Sequence, residues 1–292
     1  MERSLIRCGA GPADAPVLEL FADPNWPEAQ RRMSEDLVRA LEAVGRSVRR
    51  RLRPSRKEPL LSRSLHGQNV VVIGGSSGLG AAVAALALEQ GARVIAFSRS
   101  GRSPGGVEGL AVDVTDSKAL DQALGRVGQI DHLVHTAGAR TPSEPLSSLA
   151  PDSLQQAFAP KLFGAIEAIR VALPYLTKNA SITLTSGQLS RKYGTGTLAK
   201  GVVNAAVEAA GRHLAKELAP RRVNVVSPGV VGTEFWGEDG SESRRMFLEG
   251  VGSGLPVQRV GAPEELASAY LFAMTNGFAT GAVIDVDGGG LL

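Results

Sequence analysis

The spacing of apolar residues changes period several times along the chain, and each change marks an element. Over 70–73 four β-branched residues run without a polar break, the pattern of a parallel strand buried on both faces. A glycine-rich turn follows, and over 81–88 nearly every residue is Ala, Val or Leu, which predicts a helix packed closely on a sheet. Gly91 ends that helix and a second strand occupies 94–97. Further strands are predicted over 110–114, 130–134, 180–185, 223–226 and 282–286. Helices are predicted over 116–127, 152–175, 197–218 and 264–274, the first capped by Asp116 or Thr115. Residues 101–109 are too few and too rich in Gly for a full helix. Alternating strands and helices without hairpin signals predict an α/β fold with a doubly wound parallel sheet of about seven strands.

A different pattern precedes this one. From Pro27, apolar residues recur at helical spacing (Met33, Leu37, Leu41, Val44, Val48), with Gly45 weakening the last turn. A basic run then carries Arg49, Arg50, Arg51, Arg53, Arg56 and Lys57, broken by Pro54. The chain therefore divides into an N-terminal helical extension, 1–64, and an α/β domain, 65–292. Without interleaved aromatics the basic run reads as a solvated linker, so no nucleic-acid partner is expected. The apolar stripe would pack on the main domain or on a second subunit.

Composition narrows the picture slightly. At 292 residues, 43% hydrophobic and 21% charged, the chain is an ordinary globular protein with a formal charge of +3. Its one cysteine, Cys8, allows no intrachain disulfide. No apolar run reaches the length of a membrane span, and the first residues lack the apolar core of a secretory signal. A cytoplasmic location is expected.

The glycine turn carries the first chemical signal. Glycines between a buried strand and a helix let the backbone approach a pyrophosphate, which the free N–H groups of the helix then face. Gly74, Ser76, Ser77, Gly78, Leu79 and Gly80 are the residues concerned, and a tight turn without ligand is the alternative reading. At the end of the second strand stands Ser98-Arg99-Ser100, where an NAD-binding fold places an acidic residue on the ribose. An arginine there suits the 2′-phosphate of NADP(H), or is an ordinary surface arginine. The four histidines, His66, His132, His135 and His213, show no metal-ligand spacing.

From about residue 66 to the end the chain resembles the short-chain dehydrogenase/reductase family, whose Rossmann-type fold this implies. GGSSGLG is similar to the family's Thr-Gly-x-x-x-Gly-x-Gly cofactor loop, with Gly74 in place of Thr. Asp113-Val114 resembles the pair beside the adenine. HTAG, from His135 through Thr136 and Ala137 to Gly138, resembles the turn after the fourth strand. Pro228-Gly229 followed by Thr233 resembles the segment that holds the nicotinamide carboxamide, and GAVIDVDGG resembles the closing strand.

The family's catalytic group is Ser, Tyr and Lys with an Asn from the preceding long helix. Ser186 stands at the serine position, where the resemblance implies that it positions the substrate oxygen. Registering the next helix on NAAVEAAGRHLAKELAP places Asn204 at the lysine position and Lys200 at the tyrosine position. Lys161 falls at the family Asn. The exchange of Lys161 and Asn204 resembles ketoreductase domains of polyketide synthases. The tyrosine is lost, and anchoring on Lys200 as the lysine restores nothing, since Gly196 then takes its place. Tyr193 reaching back from its loop, or Lys200 itself, could replace it, because ammonium and phenol share a reference pKa near ~10. A surface tyrosine and a solvent-facing lysine are the plain alternatives. Phe235, Trp236, Met246 and Phe247, set among glycines over 233–255, read as a mobile lid over substrate.

Three functions follow. The first is an NADP(H)-dependent oxidoreductase acting on a small-molecule carbonyl, imine or alcohol. The second is a redox-neutral isomerase, dehydratase or cyclase on the same scaffold, and the third a nucleotide-sensing protein without catalysis. The resemblance also implies a homodimer or homotetramer joined through the two long helices.

Overall fold

The computed structural model describes residues 65–292, so the helix expected from Pro27 and the basic run after it lie outside the described residues. Seven parallel strands form one sheet: β1 (Asn69–Ile73), β2 (Arg93–Ser98), β3 (Glu108–Ala111), β4 (Ile130–His135), β5 (Leu176–Thr185), β6 (Arg222–Pro228) and β7 (Val283–Val286). Their order is β3-β2-β1-β4-β5-β6-β7, so the winding reverses between β1 and β4. Successive strand residues serve opposite faces. Val71 and Ile73 join one buried cluster with Leu120, Leu124 and Ile169, whereas Val70 and Val72 join another with Val83, Leu266 and Tyr270. This double burial is why the strands read as unbroken apolar runs.

Helix α1 (Gly78–Glu89) packs by Val83, Ala84 and Ala87, whose small side chains bring it close to the sheet. Helix α2 (Ser117–Val127) begins where the Asp116 carboxylate accepts from the N–H groups of Lys118 and Ala119, as the capping pattern predicts. The third predicted strand sits earlier than expected, at Glu108–Ala111, which leaves Asp113 and Val114 beyond its end.

The long helix expected over 152–175 is broken. It comprises α3 (Ser153–Phe158), a π-helical turn (Ala159–Phe163) and α4 (Gly164–Ala172), and β5 already begins at Leu176. Pro160 has no N–H to donate within the helix, and the chain widens around it. Helix α5 (Leu198–Glu217) matches expectation closely. The glycine-rich stretch after β6 holds a helix that its glycines concealed, α6 (Glu242–Ser253), ahead of α7 (Pro263–Thr275). No helix among the described residues is long and apolar enough to cross a membrane.

Candidate active site

The site lies along the carboxyl ends of the strands, beside the reversal between β1 and β4, where sheets of this kind leave a crevice. The glycine turn follows β1. A side chain at Gly80 would place its Cβ 2.1 Å from the Gly74 carbonyl and 2.5 Å from the Thr136 hydroxyl, so only glycine lets α1 start there. Thr136 donates to the carbonyls of Ile73 (3.0 Å) and Gly74 (3.3 Å), tying the turn after β4 to the glycine turn. Ser77, at the head of α1, makes no side-chain cap, so the first amides of the helix are left without that partner. Leu79 packs against the core rather than facing outward, and Ser76 lies half-buried beside Ser77.

At the end of β2, the buried Ser98 donates to the Arg102 carbonyl (3.2 Å) and lies 3.5 Å from the Ser100 hydroxyl. Arg99 is exposed beside them. The Thr115 backbone and hydroxyl both donate to Asp113, and these bonds hold its carboxyl below the usual value. Val114 is buried against Gly164. On the other side, Pro228 ends β6, Gly229 donates to the Val286 carbonyl, and the buried Thr233 follows. A Cβ on Gly78 would stand 3.5 Å from the Thr233 methyl, so the glycine turn and the Thr233 segment wall one cleft.

Lys161 lies in the π-helical turn, and its ammonium donates to the main-chain carbonyl of Ser186 at 2.9 Å. Burial lowers its pKa to about 8. Gly138 approaches the same side chain, a Cβ there lying 3.8 Å from Lys161 Cδ. His135 is buried, and desolvation, with the Lys161 charge second, lowers its pKa to about 4, so it is neutral. Its Nε2 has no hydrogen-bond partner among the described residues.

One stripe of α5 faces this region with Lys200, Asn204 and Glu208, spaced one turn apart. Lys200 donates to the Ser143 hydroxyl at 2.7 Å, and burial lowers its pKa. Asn204 is buried over Gly187, where a Cβ would come 2.9 Å from its amide nitrogen, and its Oδ1 has no partner among the described residues. Glu208 accepts from Ser186 Oγ (3.1 Å), Ser190 Oγ (2.6 Å) and Arg191 (3.3 Å). Tyr193 is 87% exposed and does not enter this group. The structure thus brings Lys161, Ser186 and Asn204 together, turns Lys200 toward the loop after β4, and leaves Tyr193 outside.

Two features escaped the sequence reading. Glu208 and Arg191 were not singled out, although a charged residue four positions after Asn204, on the helix face that also carries Lys200, was a visible signal. Arg140 donates to the Glu234 carbonyl (2.5 Å) and lies 5.7 Å from the Phe235 ring, bridging the cleft mouth. Phe235 meets Trp236 edge-on and Trp236 meets Phe247 at a tilt, with centroids 4.9 and 4.7 Å apart, and the group is partly exposed together with Met246.

A family model described as enoyl-(acyl carrier protein) reductase matches residues 73–290. The short-chain dehydrogenase/reductase ATR9 of Stachybotrys chlorohalonatus is 32% identical over 252 residues, covering 78% of this chain and 99% of that protein. The short-chain dehydrogenase/reductase malC of Malbranchea aurantiaca is 30% identical over 254 residues, covering 78% of this chain and 96% of its own. Among solved structures, a small-chain dehydrogenase in complex with NADPH is 40% identical with a TM-score of 0.70, covering 77% of this chain and 98% of that one. The MalC reductase/Diels-Alderase structure from the same Malbranchea aligns at 29% identity and a TM-score of 0.71, covering 78% and 98%.

Proposed function

The chain belongs to the short-chain dehydrogenase/reductase family, a family of oxidoreductases, and on that premise we propose that it is an NADP(H)-dependent oxidoreductase of a small-molecule alcohol, carbonyl or imine. The observation that carries this reading is the approach of the glycine turn to Thr233, a Cβ built on Gly78 lying 3.5 Å from the Thr233 methyl. A cofactor lying there meets the uncapped amides of α1 at one end and Thr233 at the other. The residues fit such a group: Gly74 and Gly80 admit nothing larger, and Arg99 with Ser100 supplies donors for a 2′-phosphate, the Ser98 proton being given to the Arg102 carbonyl. Asp113 and Val114 border the adenine end, and Gly229 follows Pro228 toward the nicotinamide end. That the small-chain dehydrogenase of known structure holds NADPH supports the same choice.

The cofactor, when bound, supplies or accepts hydride at its nicotinamide. Lys161 then holds the proton at the reacting oxygen or nitrogen, since a pKa of about 8 suits a general acid near neutrality. Ser186 and Asn204 orient the reacting group. Lys200, directed at Ser143, takes the rim of the site, and the Phe235-Trp236-Phe247 cluster gives the substrate an apolar cover. Association through α4 and α5 as a homodimer or homotetramer belongs to the same reading, supported by the exposed Phe163, Ile166, Leu198 and Val202. A cytoplasmic site of action completes it.

One observation favours the redox-neutral alternative: a tyrosine is absent from the buried group, Tyr193 being largely exposed. Titration with NADPH and with NADH, followed by nicotinamide fluorescence, tests the reading. Micromolar NADPH binding that Arg99→Ala weakens by about tenfold or more, with NADH little affected, is the expected result. Equal binding of both nucleotides by wild type and variant removes the NADP(H) assignment. NADPH binding without consumption across carbonyl and imine substrates moves the redox-neutral reading ahead.

A further inference from the structure

A serine hydroxyl has one proton to give and lone pairs to receive. In this site the Ser186 proton is already placed, because Oγ donates to Glu208 Oε1 at 3.1 Å in a buried setting. The same carboxylate oxygen accepts from Ser190 Oγ at 2.6 Å and pairs with Arg191 at 3.3 Å. Arg191 in turn bonds Ser227 Oγ (3.2 Å) and both carboxylate oxygens of Asp285, one at 2.7 Å. These bonds join the end of β5, the 3-10 turn after it, α5, β6 and β7. The network therefore fixes the hydroxyl as well as occupying its proton. The donor beside it is Lys161, whose ammonium sits on the carbonyl of the same serine.

We propose that Glu208 is the positioning residue of Ser186 and turns its hydroxyl into a hydrogen-bond acceptor toward the pocket, so that the site prefers an alcohol to the corresponding carbonyl. The proposal rests on the oxidoreductase reading for the identity of the site. An alcohol oxygen accepts from Lys161 and donates to Ser186, matching both groups. A carbonyl oxygen satisfies the lysine alone and sets its lone pairs against those of Ser186. The serine that the family resemblance casts as holding a substrate oxygen thus holds here an oxygen that carries its own hydrogen.

Two measurements test this. The first needs no variant: in protein isotope-labelled at serine, the Ser186 hydroxyl proton gives a slowly exchanging NMR signal, which Glu208→Leu abolishes. Rapid exchange of that proton in the wild-type protein overturns the proposal. The second titrates 1-phenylethanol into the NADPH complex and acetophenone into the NADP+ complex, each pair being unreactive. The wild-type protein favours the alcohol by about tenfold, and Glu208→Leu, which removes the acceptor and frees the Ser186 proton for the pocket, brings the ratio near unity. An identical ratio in both proteins overturns the proposal. Failure of the wild-type protein to bind either nucleotide overturns the oxidoreductase reading instead, and the Ser186 proton measurement still decides the role of Glu208.

Discussion

Replacing Lys161 by methionine removes an ammonium from a half-buried turn while keeping an unbranched side chain of similar reach. Burial lowers the lysine pKa from 10.5 to about 8, a difference of roughly 2.5 units. At about 1.4 kcal/mol per unit this amounts to about 3 kcal/mol, or nearer 2 kcal/mol after allowance for the partly exposed side chain. Below pH 8 the lysine is protonated in the folded and unfolded states alike, and the whole penalty of burying the charge stands. Between about 8 and 10.5 the folded protein has released the proton and the unfolded chain has not, so stability rises with pH across that window. Lys161→Met lacks this titration. Urea unfolding of both proteins from about pH 7 to about pH 10.5 should therefore show the wild type gaining about 2–3 kcal/mol on the variant. The absolute difference at any one pH is less telling, because methionine also strips the Ser186 carbonyl of its donor. A wild-type-to-variant difference that stays flat across the range refutes the assignment of Lys161 as a buried, easily deprotonated amine. With it would fall the expectation that carbonyl reduction declines as pH rises through about 8, where Lys161 loses the proton it donates.

Two further outcomes follow from the geometry. Gly80→Ala drives a methyl to 2.1 Å from the Gly74 carbonyl. It should lower the melting temperature by about 5–10 °C, a loss of about 2–4 kcal/mol, and abolish NADPH binding; a variant of normal stability and affinity would show the glycine turn to be looser than described. Arg191→Met strands the buried Glu208 without its cation and should cost about 2–3 kcal/mol in denaturant unfolding. Adding Glu208→Gln should recover at least half of that loss, and strict additivity of the two changes would dismiss the network.

Much of the architecture was legible because its causes are local. Continuous β-branched runs at 70–73 and 223–226 announced strands covered on both faces, and the Asp116 cap and Gly91 marked helix ends that the structure reproduces. Elsewhere the local signal misled. The apolar pattern over 152–175 runs through Pro160 without a break, yet the backbone there lacks a donor and opens into a π turn. Glycines at 250, 252 and 254 hid α6, although Arg244, Arg245, Met246, Leu248 and Glu249 favour a helix by propensity and only Gly252 of it is buried. Asp113 and Val114 kept their place in the chain but fell outside the strand expected to carry them.

The candidate site divides along the same line. The sequence by itself determined the glycine turn after β1, the arginine after β2 and the seven-strand α/β order, since each depends on residues adjacent in the chain and on backbone freedom that only certain residues allow. Only the tertiary structure decided which of Lys161, Lys200 and Tyr193 accompanies Ser186. Lys161 reaches it from the widened turn at Pro160, Lys200 is drawn to Ser143, and Tyr193 stays at the surface. The partner of the Ser186 hydroxyl was likewise settled by packing, for Glu208 lies 22 positions away and meets it through the docking of α5 on the end of β5. Hydrogen-bond direction in a buried site depends on which groups are brought within about 3 Å of one another. Chain spacing alone does not contain that distance.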